Sequence, residues 1–368
     1  MNTKPGRPDY IATLDLLRLA AALAVVSFHY FFRGSAAGGV LAEGYPTVAP
    51  VAIYGYLGVN LFFLISGFVI AWSAENRNWQ QFAIARFARL YPGFLLCMTI
   101  TFAIIITVGA PLFSTSLRQY GANLSMFAPA LGQPFMDGVY WSILLELVFY
   151  GWVTLALLSG VFQKWKLELI LIWLAIAALN EFFVDSRALR LLFITEFGPF
   201  FAAGLLVHHI HAHGRSPKAL LLLAAAFLLS CCTLSVTQRW MLNEYGMAVS
   251  QTHLVAANVV MHTALIGGVL LRNRVRPSAL TLALGGLTYP LYLLHQNIGY
   301  LAINAAAPVV GKWAAALGCV ALMLLVSGVI WHHFERPTQR MVKIWLGRAV
   351  DAVLARFRPT SPGAQPAE

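Results

Sequence analysis

Apolar stretches of about twenty residues, separated by short polar segments, dominate the sequence. A helix rises about 1.5 Å per residue, so a stretch of this length crosses the roughly 30 Å hydrocarbon core of a bilayer. The pattern therefore predicts an all-α, polytopic membrane protein with about ten transmembrane helices. Their predicted ranges are residues 14–32, 55–74, 92–110, 140–160, 167–184, 190–208, 218–237, 253–271, 281–300 and 313–334.

Composition supports a membrane protein over a soluble one. Of the 368 residues, 59% are hydrophobic and only 11% are charged, with a mean hydropathy of +0.72. About a quarter of the residues in an ordinary soluble protein are charged. The first apolar stretch is interrupted by Asp15 and Arg18 and is long enough to span, so we expect a retained helix and no cleaved signal peptide.

The basic residues predict the orientation in the bilayer. The net charge is +11, but its lysines and arginines are dispersed between apolar stretches, which indicates the lipid bilayer as partner and no nucleic acid. Of the 25 basic residues, eighteen fall in the segments on the side of the N-terminus and six fall on the other side. The positive-inside rule therefore predicts that both termini are cytoplasmic.

Three units are expected along the chain. Residues 1–339 form the transmembrane domain, whose longest outer loop, 111–139, is rich in proline and glycine and is expected to rim an external cavity. Residues 340–357 alternate apolar and basic side chains, which predicts an amphipathic helix on the cytoplasmic leaflet. Residues 358–368 have the composition of a disordered tail.

Ionisable groups inside the predicted helices are the candidate functional residues, because charges in a membrane usually face a protein interior or an aqueous cavity. Arg18 and His29 are eleven residues apart, which places them within ~20° of one helix face and ~16 Å apart along its axis. The predicted topology sorts the candidates into two layers. The outer layer contains His29, Asn60, Glu146 and His295, and the inner layer contains Arg18, Arg86, Arg89, Arg272, Arg274, Arg276, Glu335 and Arg336.

Structural roles are plausible for several of these residues. A lone histidine or glutamate in a membrane often bonds neighbouring helices together, which applies to His295 and Glu146. Asp15 lies one turn from Arg18 and can pair with it. Four histidines from His208 to His213 lie at a predicted helix end without a fixed ligand geometry, so we expect no metal site.

Several motifs together resemble the integral-membrane acyltransferase family 3, which includes bacterial polysaccharide O-acetyltransferases. The resemblance extends from residue 10 to about residue 340. One departure is Asn60, which stands where members often have an acid. The matching elements are Arg18 and His29, LFFLISGF at 61–68, Arg86-x-x-Arg89 before Leu-Tyr-Pro, Trp141-Ser142 with Glu146 and Phe149-Tyr150, Tyr289-x-x-Tyr292 with His295, and Glu335-Arg336-Pro337.

The resemblance implies an O-acyltransferase of the bacterial inner membrane that uses cytoplasmic acetyl-CoA. In the family, Arg18 and His29 correspond to a pair associated with catalysis, and Arg86 and Arg89 to an element needed on the cytoplasmic side. The expected acceptor is a carbohydrate or a lipid-linked glycan. We expect the arginines to bind CoA phosphates and His29 to act as general base or as acyl carrier, with Glu146 or His295 orienting the acceptor.

Two other classes of function fit the same residues. A proton-coupled transporter or flippase would use the intramembrane Arg, His and Glu as a proton relay. The inverted repeats typical of many transporters are not evident in the sequence. A sensor or scaffold without turnover is the third class.

Overall fold

The computed structural model describes residues 10–36 and 39–356, and this part of the chain is helical without a β-strand. The predicted tail, 358–368, lies outside the described residues. The helices are α1 Ala12–Phe31, α2 Ala49–Ala52, α3 Gly58–Glu75, α4 Trp79–Val108, α5 Leu117–Asn123, α6 Trp141–Leu158, α7 Val161–Lys164, α8 Lys166–Leu179, α9 Arg187–Leu192, α10 Gly198–His213, α11 Pro217–Tyr245, α12 Gln251–Leu270, α13 Ala279–Gly286, α14 Thr288–Val310, α15 Lys312–Ile330 and α16 Arg336–Arg356.

Eight helical segments of the described chain are long and apolar enough to cross a membrane, so the chain is an all-α polytopic membrane protein. They correspond to eight of the ten predicted stretches. The sixth stretch, 190–208, contains the short helix α9 and the 16-residue helix α10, with a break between them. The ninth, 281–300, divides at Leu287 into α13 and α14, and polar residues around His295 lower the hydropathy of α14. The count of ten and the cytoplasmic termini stay predictions.

Helix α4 begins thirteen residues before the predicted start at residue 92. Its first turn is a capping box, in which the Asn78 side chain accepts from the Gln81 amide at 2.9 Å and the Gln81 side chain accepts from the Asn78 amide at 3.4 Å. Pro92 lies inside the helix and does not begin it. Arg86 and Arg89 therefore lie on α4, whereas the predicted ranges left them in the segment between two helices.

Helix α1 lies at the centre of the fold, packed against α3, α12, α13 and α14. Helices α3 and α10 make the most extensive helix pair, and two glycines bring their backbones together. A Cβ atom at Gly67 would lie 2.1 Å from the Phe201 carbonyl oxygen, and one at Gly204 would lie 2.1 Å from the Leu64 oxygen. Such small residues allow the close helix packing on which membrane bundles depend.

Gly204→Ala is expected to destabilise the protein by about 1–3 kcal/mol, because the new methyl group overlaps backbone that cannot rotate away. Thermal unfolding in detergent measures the effect. The matched control is Gly151→Ala in α6, where no atom lies within 4 Å of the added Cβ. An unchanged melting temperature for Gly204→Ala would contradict the close α3–α10 crossing.

Helix α16 covers most of the predicted amphipathic segment and packs against α4 after a π-helical turn, Trp331–Glu335. Met341, Ile344 and Trp345 are exposed on it, together with basic side chains. Its location on the cytoplasmic leaflet stays a prediction.

Reporter fusions test the predicted orientation. A reporter active only in the cytoplasm is expected to give signal after Asn76 and after residue 350, and none near Gln119, since the positive-inside rule places the first two positions inside. Signal near Gln119 together with silence after Asn76 would reverse the orientation.

Candidate active site

Two neighbouring cavities lie along helix α1. The large cavity has a volume of about 650 Å³ and includes His29 in its wall, whereas the small cavity has about 120 Å³ and includes Arg18. Val59 and Tyr292 line both cavities, so the two spaces are adjacent at these side chains. Arg18 and His29, which share a predicted face of α1, thus line one cavity each.

His29 is held directly by His295 of helix α14. His29 Nδ1 lies 3.0 Å from His295 Nε2, and both side chains are buried. The sequence analysis placed the two residues in the same layer but did not predict this contact. Residues 266 positions apart come together through the packing of α14 against α1, which no local spacing reveals.

The surrounding carbonyl groups determine which ring nitrogens carry protons when both imidazoles are neutral. His295 Nδ1 lies 2.9 Å from the Tyr292 oxygen and 3.1 Å from the Leu291 oxygen, so it is an N–H donor. Its Nε2 is then an acceptor. His29 Nδ1 faces this acceptor and, at 2.9 Å, the Val25 oxygen, so it is also a donor. The lone pair of His29 therefore resides on Nε2.

Two further residues, Tyr30 and Asp137, position the helix turn that carries His295. The Tyr30 hydroxyl donates to the His295 carbonyl oxygen at 2.8 Å. Asp137, at the end of the outer loop, accepts from the backbone amides of Asn297 at 3.0 Å and Val139 at 3.1 Å. Burial raises the pKa of Asp137 to about 6. The sequence analysis missed both residues, although an aspartate before a glycine is typical of a turn that bonds its own backbone.

Three of the arginines predicted for the inner layer, Arg18, Arg86 and Arg89, line the small cavity, and they differ in their partners. Arg18 forms an ion pair with Asp15 at 2.7 Å, which confirms the pairing considered from the sequence. Arg89 forms an ion pair with the fully buried Glu335 and lies 5.2 Å from the centre of the Tyr289 ring. Both of these charges are thus compensated within the protein.

Arg86 has no ion pair among the described residues. Its guanidinium carbon lies 5.9 Å from the ring centres of Phe82 and Tyr150, and its buried Nε has no hydrogen-bond partner. An unsatisfied buried donor is costly, and a bound anion would satisfy it. Arg86 is therefore the cation of this cavity that is available to a ligand.

Glu146 does not share the cavity of His29. It lines the small cavity with the arginines and accepts from the Ser66 hydroxyl at 2.9 Å. The sequence analysis grouped Glu146 with His29 by depth, but the structure groups it with the arginines of the small cavity, because depth along a helix does not specify which cavity a side chain enters. Asn60, which the sequence analysis grouped with His29, is buried and lines the large cavity with it.

The fold and the two cavities define a helical membrane protein with a buried histidine pair at one compartment and, among the described residues, an arginine without an ion pair at the next. A family model described as an acyltransferase domain matches residues 11–332. The chain therefore belongs to the integral-membrane acyltransferase family 3, the family that its motifs resemble. This assignment makes it an acyltransferase and favours an enzyme over a transporter or a scaffold.

Two curated relatives are similar to the chain. Acyltransferase MdmB of Streptomyces mycarofaciens is 34% identical over 116 residues, which cover 29% of this chain and 27% of the relative. Nodulation protein 10 of Rhizobium leguminosarum bv. viciae is 25% identical over 364 residues, which cover 89% of this chain and 93% of the relative. The chain thus aligns with about a quarter of the first relative and most of the second. No solved structure matches it.

Proposed function

We propose that this acyltransferase moves an acetyl group from cytoplasmic acetyl-CoA to a hydroxyl of a carbohydrate or lipid-linked glycan. The donor enters through the small cavity and the acceptor occupies the large one. The observation that carries this proposal is the contact between His29 Nδ1 and His295 Nε2. It assigns the lone pair of His29, a residue that lines the large cavity, to Nε2. Because both relatives come from bacteria, we propose that the enzyme resides in a bacterial cytoplasmic (inner) membrane.

The size of the small cavity decides which part of acetyl-CoA enters it. Typical ligand pockets have volumes of ~300–1,000 Å³, so a cavity of about 120 Å³ suits a thin chain or a single phosphate group better than a nucleotide. The nucleotide therefore stays towards the cytoplasm, and Arg86 binds a phosphate while the acylated arm extends towards Val59 and Tyr292. Guanidinium groups suit this role because they bind phosphate oxygens in pairs.

One histidine is sufficient for the proton transfers of the reaction. His29 Nε2 takes the proton of the acceptor hydroxyl as the oxygen attacks the thioester carbonyl carbon. The carbon–sulfur bond then breaks, and the leaving thiolate takes the proton from His29. Throughout, His29 Nδ1–H donates to His295 Nε2, which keeps the ring oriented and stabilises the imidazolium. We assign Glu146 to the donor side, because it lines the small cavity with the arginines.

The large cavity suits an oligosaccharide acceptor. Its volume lies within the ~300–1,000 Å³ of typical ligand pockets. Trp141 and Trp240 line it and are 37% and 43% exposed, so their rings offer flat apolar surfaces to the faces of sugar rings.

Transfer of label tests the proposal. Purified protein in nanodiscs is incubated with acetyl-CoA radiolabelled in the acetyl group and a panel of glycans, and the products are separated from the donor. The expected result is label in a glycan through an ester that hydroxylamine cleaves. Label confined to free acetate or to acetyl-CoA with every acceptor would contradict it.

A further inference from the structure

Three arginines line the outer part of the large cavity, although the outer side of the protein is poor in basic residues. Arg33 follows the end of α1, and Arg187 and Arg190 belong to α9. The predicted topology leaves only six basic residues on this side of the membrane, so half of them line one cavity. The positive-inside rule disfavours such a concentration, and a binding role explains it.

The charges around this cavity balance in number but are paired unevenly. Arg190 is compensated, because it pairs with both Glu181 and Asp185 at 2.7 Å. Arg33 and Arg187 have no ion pair among the described residues, and Glu196 is the carboxylate that lines the cavity beside them. Although Glu196 lines the cavity and the buried Asp137 interacts with Arg33, no described carboxylate lies within ion-pair distance of Arg33 or Arg187, so these guanidinium groups are available to an anion.

Arg33 is the better placed of the two cations. Its Nε donates to the Tyr245 hydroxyl at 2.9 Å, a neutral partner that fixes the side chain without removing its charge. It stands four residues after His29 in the chain, and both side chains line the same space. An anion bound by Arg33 would therefore lie in the compartment that contains the base.

We propose that the acceptor of this enzyme is acidic, with a carboxylate or phosphate group that binds Arg33 while a nearby hydroxyl meets His29 Nε2. This inference rests on the proposed function and adds the chemical class of the acceptor. Arg187 contributes a second, weaker attraction because it is exposed. The tryptophans of the cavity pack against the sugar rings on either side of the anion.

The test compares three oligosaccharide acceptors with one skeleton, which is neutral, carries a uronic acid or carries a phosphate. The wild-type enzyme is expected to prefer at least one acidic acceptor over the neutral one by more than tenfold in kcat/KM. Arg33→Gln is expected to remove most of that preference through a roughly 10- to 150-fold higher KM for the acidic acceptor, since a charge-assisted hydrogen bond is lost. Arg33→Lys should keep most of it.

Arg118→Gln is the matched control, because Arg118 is an exposed arginine of the outer loop that does not line the cavity. Comparing the uronic acid acceptor with the phosphate acceptor shows which anion is preferred. Equal wild-type rates on neutral and acidic acceptors would overturn the inference and leave acetyl transfer intact. A fall in kcat that is equal for all acceptors in Arg33→Gln would also overturn it. Absence of label from every acceptor would overturn the proposed function itself, and this inference with it.

Discussion

Replacing His29 by glutamine is expected to lower turnover by roughly 10²–10⁴-fold while the protein level and acetyl-CoA binding stay near those of the wild type. The glutamine amide can still donate to the Val25 carbonyl or to His295, so the packing of α1 against α14 is preserved. It has no lone pair of suitable basicity at the position of Nε2. Single-turnover transfer from radiolabelled acetyl-CoA measures the loss.

Two other histidines serve as controls for this variant. His295→Gln is expected to be milder, because the glutamine oxygen can still accept from His29 Nδ1. His262→Gln removes a buried histidine of α12 that lines neither cavity and is expected to keep nearly the full rate. If His29→Gln retained more than a tenth of wild-type turnover, His29 would be a packing residue.

Arg86→Gln is expected to raise the KM for acetyl-CoA by roughly 10- to 150-fold and to change the KM for the acceptor much less. The reason is the loss of one charge-assisted contact, worth ~1.5–3 kcal/mol, from the arginine that the protein leaves without an ion pair. Initial rates at varied donor and acceptor concentrations separate the two constants.

Arg89→Gln is the informative comparison for that variant. It leaves Glu335 fully buried without its cation, so the main expected effect is a lower melting temperature. An unchanged donor KM in Arg86→Gln, at a normal protein level, would contradict the assignment of Arg86 to the donor phosphates.

The sequence alone predicts those features of the site that depend on a single helix. The spacing of Arg18 and His29 predicts a shared face, and the structure puts the two residues on neighbouring cavities. The start of α4 is also specified locally, by the capping pair Asn78 and Gln81. A search for apolar stretches missed it because the first turns of this helix are polar and basic.

The partners of these residues were not predictable from spacing. His29 with His295 and Arg89 with Glu335 are separated by 266 and 246 positions, and they meet only after α1, α4, α14 and the last π-helical turn have packed. Hydropathy gives the depth of a side chain along its helix and not its direction around the bundle. This is why Glu146, which the sequence analysis grouped with His29 by depth, lines the cavity of Arg18 instead.

The central claim is that donor and acceptor reach His29 from opposite sides of the membrane, and membrane vesicles of defined orientation test it most directly. Inverted vesicles, with the cytoplasmic face outward, are loaded with an acceptor glycan and given radiolabelled acetyl-CoA, which does not cross the bilayer, in the outer solution. We expect label in the luminal glycan, and none in the same vesicles with His29→Gln. Right-side-out vesicles given both substrates outside are expected to show no transfer. Equal transfer in the right-side-out vesicles would contradict the account.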